Sequence, residues 1–272
     1  MARGDETRIG GGRFAGSPFL AQSAAFRRGA DNLDSRDPLS THNDAAVAQF
    51  GAGRAAEAAA VLEGLLADCR SILGPRHPET LVVEGNTAAA LVAVGRLSEG
   101  IALMEANVAA RESEFGDDHP RTLTAREALA TAYRLGGRLA EALRVSMRVT
   151  AQRTAVLGPT HPHTLVSRLG LGLTRADSGD MRGAESIVMP ALREAVAAHG
   201  PHHVVTTALR SCAGSLHAVA GRVDEARDAL VQAVQDSERQ LGSGHPDTTA
   251  LREELMTLSS SSPAPSSPAP TS

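Results

Sequence analysis

The chain has no lysine and no tryptophan, and all 27 of its basic side chains are arginine. This bias of GC-rich coding sequence carries chemical consequences. A P-loop lysine, the strand lysine of a protein kinase and a Schiff-base lysine are all ruled out, and three enzyme classes go with them. Aromatic residues are only 2% of the chain, and Ala, Leu and Val fill the apolar positions. That composition suits closely packed small-residue helices better than strands rich in aromatic and β-branched side chains. The two cysteines, Cys69 and Cys212, are too few and too far apart for a disulfide framework or a zinc site. They read as reduced thiols packed in or near helices, in a cytoplasmic setting.

Further absences narrow the partners. No run reaches the ~18 apolar residues that span a bilayer, and the N-terminus lacks the continuous apolar stretch of a secretory signal. The net charge is −4, with no basic stripe, whereas phosphate contacts need clustered positive charge. Neither a membrane nor a nucleic acid is therefore expected as a partner. Catalytic signatures are missing too: there is no G-x-S-x-G elbow, no H-E-x-x-H and no phosphate loop. Gly170 and Gly172 sit in a helical pattern without the strand that a dinucleotide fingerprint requires. No enzyme, cofactor or metal is expected, although His161, His163, His199, His202 and His203 crowd two consecutive boundaries.

What is present is a repeat. Gly74, Gly116, Gly158, Gly200 and Gly242 fall 42 residues apart, each opening a variant of L-G-x-x-H-P-x-T-L. A second ladder, Gly53, Gly95, Gly137, Gly179 and Gly221, keeps the same step. Two punctuation marks recurring in one register mean a single supersecondary unit copied several times. In the third unit Pro120 suits the first position of a helix, with His119 before it as N-cap, and Leu123, Leu129, Ala130 and Tyr133 form a helical stripe that Gly136 and Gly137 end. A second helix runs from Leu139 to Leu157. Long helices joined by short turns pack antiparallel, and hairpins that repeat the same faces stack into an α-solenoid.

With the L-G-x-x-H-P boundary and the G-R-x-x-E-A turn, intact as Gly53 to Ala58 and Gly137 to Ala142, the chain resembles a tetratricopeptide repeat protein of the 42-residue, kinesin-light-chain-like kind. The fold expected is all-α: a right-handed α-α superhelix of about five hairpins with a C-terminal capping helix from about Pro246 to Leu258. Where the paired helices cross, side chains must be small. Ala46, Ala88, Ala130, Gly172 and Gly214 stand before the turns, and Ala58, Gly100, Ala142, Ala184 and Ala226 after them. Residues 1–36 form an arm containing Phe14, Phe19 and Phe26, which admits a capping helix, disorder or an autoinhibitory stay in the groove. Residues 37–258 make the array, and 259–272, holding only Ser, Pro, Ala and Thr, cannot bury a core. Helix-interior glycines in the fourth unit point to a hinge around 170–205.

The resemblance implies that the first helix of each unit lines a concave groove where an extended peptide or partner helix binds. Counting back from each turn glycine gives exposed positions Val82, Asn86 and Ala89, then Thr124, Glu127, Thr131 and Arg134, then Val166, Leu169 and Leu173, then Ser211 and Ser215. That surface is mostly small and apolar, so the ligand expected is an apolar peptide or protein helix. Kinesin-light-chain-like grooves carry paired first-helix asparagines; here only Asn86, with Asn43 in the degenerate first unit, corresponds to them. The reading that follows is a non-enzymatic adaptor or scaffold, with a peptide-sensing regulator as the alternative; the oligomeric state is left open.

Overall fold

The computed structural model describes residues 38–260; the arm of residues 1–36 and the segment from 261 onward lie outside the described residues. Within that range the chain is entirely helical. The elements are α1 (Pro38–Gly51), α2 (Ala55–Ile72), α3 (Pro78–Ala93), α4 (Leu97–Phe115), α5 (Pro120–Leu135), α6 (Leu139–Leu157), α7 (Pro162–Asp177), α8 (Met181–His199), α9 (Val204–Val219), α10 (Val223–Leu241) and α11 (Pro246–Ser260). They pair as five hairpins followed by a single last helix, which runs two residues beyond its expected end. Packing runs between consecutive helices and between the first helices of successive units, the contact pattern of an α-solenoid.

The boundary motif works residue by residue. At His77, His119, His161, His203 and His245, Nδ1 accepts the backbone N–H two residues on, at 3.1–3.3 Å. Histidine thus does the work usually given to Ser, Thr, Asp or Asn. The threonine three residues after the boundary histidine is fully buried in every unit: Thr80, Thr122, Thr164, Thr206 and Thr248. In three units its hydroxyl donates to the carbonyl eleven residues earlier, that of Cys69, Arg111 or Arg153, at 3.2–3.3 Å. The start of one hairpin is thereby fastened to the last turns of the one before, satisfying polar groups that would otherwise be stranded between helices. The ten ladder glycines are the only described residues with positive φ, which is the physical reason both ladders are built from glycine.

The crossing positions are as expected. Ala46, Ala58, Ala88, Ala142, Ala184 and Ala226 are wholly buried. A Cβ at Gly100 would sit 2.9 Å from the Ala88 carbonyl, and one at Gly172 would lie 2.5 Å from Val188 Cγ2. Gly172 is therefore a packing glycine. Gly183 is one too, because the Asp180 carboxylate that caps its N–H at 2.9 Å fills the space a Cβ would need. Of the three helix-interior glycines behind the expected hinge, these two are required by packing, and the third, Gly170, has room for a Cβ, 3.5 Å from Glu127 Oε1. The irregular feature there is Pro190, inside α8.

The outer turns carry a charge ladder. The arginine of G-R-x-x-E-A bridges a glutamate of the preceding unit and its own glutamate three residues on: Arg96 with Glu63 and Glu99, Arg138 with Glu105 and Glu141. In the fourth unit Asp180 replaces the arginine and Met147 replaces the preceding glutamate, so that joint lacks the bridge and leaves Met147 half exposed. Finally, the superhelix meets itself. The Nε2–H of His245 donates to the Gly51 carbonyl at 2.8 Å, across 194 residues. The first turn at Gly53 lies against Pro246 in the same place.

Candidate functional site

The inner face is built by α1, α3, α5, α7, α9 and α11, and its side chains bond across neighbouring units at about one repeat's spacing. Asn86 Nδ2 donates to Asn43 Oδ1 at 2.9 Å. Ser167 Oγ donates to Glu127 at 2.9 Å, and Arg134 pairs with Asp177 at 2.7 Å. Ser215 Oγ donates to Glu254 in α11.

These bonds correct the expected exposure of the face. Of the twelve residues read as exposed groove positions, only Val82, Thr124 and Thr131 retain partial access. Asn86, Ala89, Glu127, Arg134, Val166, Leu169, Leu173, Ser211 and Ser215 are buried. Small side chains let adjacent first helices approach closely, so what a looser array would present to solvent is here consumed in joining units. Leu169 and Leu173, each 1% exposed, belong to a core cluster with Val188 of α8 and Leu209 of α9. The paired asparagines bond to one another, and the wall that stays accessible is narrower: Val82 and Gly85 of α3, Thr124, Ala128 and Thr131 of α5, and Gly170 of α7. None of these six is charged.

Beneath this wall lies a residue that sequence reasoning missed. Arg153, from the outer helix α6, is 3% exposed and reaches inward to pair with Glu127. Its guanidinium also donates to Ser167 Oγ at 2.9 Å, the His163 carbonyl at 3.1 Å and Thr124 Oγ1 at 3.3 Å. Arg111, one repeat earlier, donates to the Leu81 carbonyl at 2.7 Å and to Asn107 Oδ1 at 2.8 Å. The equivalent positions elsewhere hold Cys69, Ala195 and Ser237. An arginine where the other units have small side chains was the available signal: a charge placed in a buried slot needs partners from the facing helices.

A cleft of about 170 Å³ opens at the boundary edge, lined by Pro120, Leu123, Arg153, Val156, Leu157, His161 and His163. Reactive groups are quiet. Both cysteines are buried and free, and burial pushes the Cys212 thiol up to about 12, which leaves it no thiolate near neutrality. Burial, with Glu105 accepting its hydroxyl, raises Tyr133 to about 12. Burial together with the charge of His199 lowers His203. Burial raises Asp247 to about 6 against the opposing pull of His245. Among the described residues no three His, Cys, Asp or Glu side chains are placed to hold a metal ion.

Two sequence models described as tetratricopeptide repeat match the chain, one over residues 83–152 and the other over 39–79 and 206–247. No curated protein matches significantly. Among solved structures, the nearly identical TPR-like repeats assigned to a Podosopora anserina kinesin light chain are similar at 24% identity, with a TM-score of 0.59, covering 74% of this chain and 95% of that one. A single-residue variant of the same repeats gives 23% identity and a TM-score of 0.60, covering 76% of this chain and 98% of that one. BtubC (BKLC) from P. vanneervenii, at 11% identity, gives a TM-score of 0.51 and covers 86% of this chain and 98% of that one. At these identities the likeness is one of fold.

Proposed function

The chain belongs to the tetratricopeptide repeat family, of the kinesin-light-chain-like kind, and from that premise we propose that it is a non-enzymatic adaptor holding a protein or peptide against its inner wall. The observation that carries this reading is the uncharged strip Val82, Gly85, Thr124, Ala128, Thr131 and Gly170, floored by ions that are already neutralised within the fold. Such a strip offers small steps and shallow recesses, suited to an extended apolar peptide whose own backbone supplies most of the polar contacts. Folded side chains beneath it are fixed in advance, so little ordering is lost when a ligand arrives. We place the protein in the cytoplasm, with neither nucleic acid nor membrane as partner; no described helix is long and apolar enough to cross a bilayer.

The test is selection of peptides on the wild-type protein, with binding then measured to Val82→Asp and Thr131→Asp. These two sites are accessible, whereas an aspartate at Leu169 or Leu173 would enter the core. Loss of affinity in both variants with an unchanged melting temperature supports the inner strip. Undiminished binding removes it.

A second reading is favoured by the fourth unit, where the outer arginine bridge is missing and α8 contains Pro190. There the array would bend, and the protein would act as a peptide-sensing regulator that changes curvature on binding, working with a signalling ATPase or a transcription factor. Small-angle scattering separates the two: an adaptor keeps one profile with and without a selected peptide, and a sensor compacts.

A further inference from the structure

We propose that the contact between the first turn, Gly51 to Gly53, and the start of α11, His245 and Pro246, is a latch that closes the superhelix on itself and holds its two ends at a fixed separation.

Three observations carry it. First, the contact joins the two ends of the array directly, through one hydrogen bond from His245 Nε2 to the Gly51 carbonyl at 2.8 Å. The donor is fixed because Nδ1 of the same ring is occupied in accepting the Asp247 N–H at 3.2 Å, so the hydrogen must reside on Nε2. Second, Gly53 differs from its counterparts. A Cβ there would lie 2.5 Å from Pro246 Cγ, while a Cβ at Gly95, Gly137, Gly179 or Gly221 would meet nothing within 4 Å. All five share the positive φ of the turn, so only at Gly53 does the absence of a side chain also serve a long-range contact. Third, helix packing elsewhere is between near neighbours in sequence. One hydrogen bond and a patch of proline ring are weak beside those interfaces, so the latch parts without unfolding a helix.

The experiment places spin labels at Ala52→Cys and Ser243→Cys, both exposed, with Cys69 and Cys212 left in place because they are buried. In this background the distance distribution should be short and narrow. His245→Asn keeps a cap acceptor for the helix start but cannot span to Gly51, and Gly53→Ala drives a methyl into Pro246; each should shift the distribution to longer, broader distances. His77→Asn and Gly95→Ala make the same local changes away from the latch and should leave it unmoved. An already long and broad distribution in the labelled parent overturns the latch, as does a distribution insensitive to both test variants or one displaced equally by the controls. Because no ligand is present, failure here is distinguishable from failure of the inner-strip assignment, which the peptide measurements read.

Discussion

Arg134 of α5 and Asp177 of α7 form an ion pair at 2.7 Å between inner helices of adjacent units, with the arginine side chain only 3% exposed. A buried guanidinium deprived of its carboxylate keeps the cost of desolvation and loses the compensation. Asp177→Ala should therefore destabilise the array by on the order of 3 kcal/mol, while Arg134→Met combined with Asp177→Leu should recover a large part of that loss. Chemical denaturation of the single and the double variant checks it. A double variant as weak as Asp177→Ala alone would show that the loss does not come from a stranded guanidinium.

Two glycines in inner and outer helices should respond with opposite sign to the same substitution. Gly85 has room, since an added Cβ would meet Asn107 Oδ1 at 3.5 Å, an ordinary contact. Gly85→Ala should stabilise by about 0.5–1 kcal/mol through helix propensity. Gly100→Ala forces a methyl against the Ala88 carbonyl and Val92, and should cost roughly 1–3 kcal/mol. Thermal melts of the two variants decide it.

The threonine fastener can be removed with little change of shape. Thr122→Val deletes the hydroxyl that donates to the Arg111 carbonyl at 3.2 Å, and the expected loss is about 1 kcal/mol. An unchanged denaturation midpoint would mean that the helix ends are held by capping and apolar contact alone.

Stability should depend on pH in two opposed ways. His203 is held below the usual 6.5 by burial and by His199, so the unfolded chain binds the proton more readily. Its contribution is complete above the unfolded pKa of about 6.5 and declines as the pH falls below it. A His203→Asn variant, which caps without titrating, should lose less stability than wild type between neutral and mildly acidic pH. Asp247, raised to about 6, behaves inversely: the folded chain holds its proton, and that contribution fades as the pH climbs through 6. Asp247→Asn should therefore gain on wild type at pH 8 more than at pH 4. Urea midpoints across this range test both.

Pro190 has no N–H to give the Ser186 carbonyl four residues earlier in α8. Amide exchange in α8 should be faster than in α6, its counterpart one unit earlier, and Pro190→Ala should raise stability by about 1–3 kcal/mol. Uniform protection across both helices would remove the fourth unit as the place where the array bends.

Much of this fold was legible because glycine and proline act locally. Positive φ at Gly137, the helix start at Pro120 and the crossing at Ala130 each follow from one residue's own stereochemistry, and a period of 42 repeats the inference. The inner face was harder to read for a matching reason. Whether Glu127 or Ser215 meets solvent depends on how closely neighbouring units approach, and that distance is the sum of many small side chains in the crossings. The roles of Arg153 and Gly53 were hard to read for a related cause: the partners of Arg153 come from its own and the next unit, and that of Gly53 lies nearly a full chain length away. Gly183 shows the converse, where a residue that read as a flaw turned out to make room for the Asp180 cap.

The pairing of His245 with Gly51 also constrains growth by duplication. Every joint carries the same histidine and threonine, and all but the one at His203 the same proline, so an extra 42-residue unit would graft onto the array by the same fittings. Yet α11 would then arrive one hairpin further around and find another part of the surface in place of the first turn. The tally of units is thus as much a property of this protein as any side chain in them.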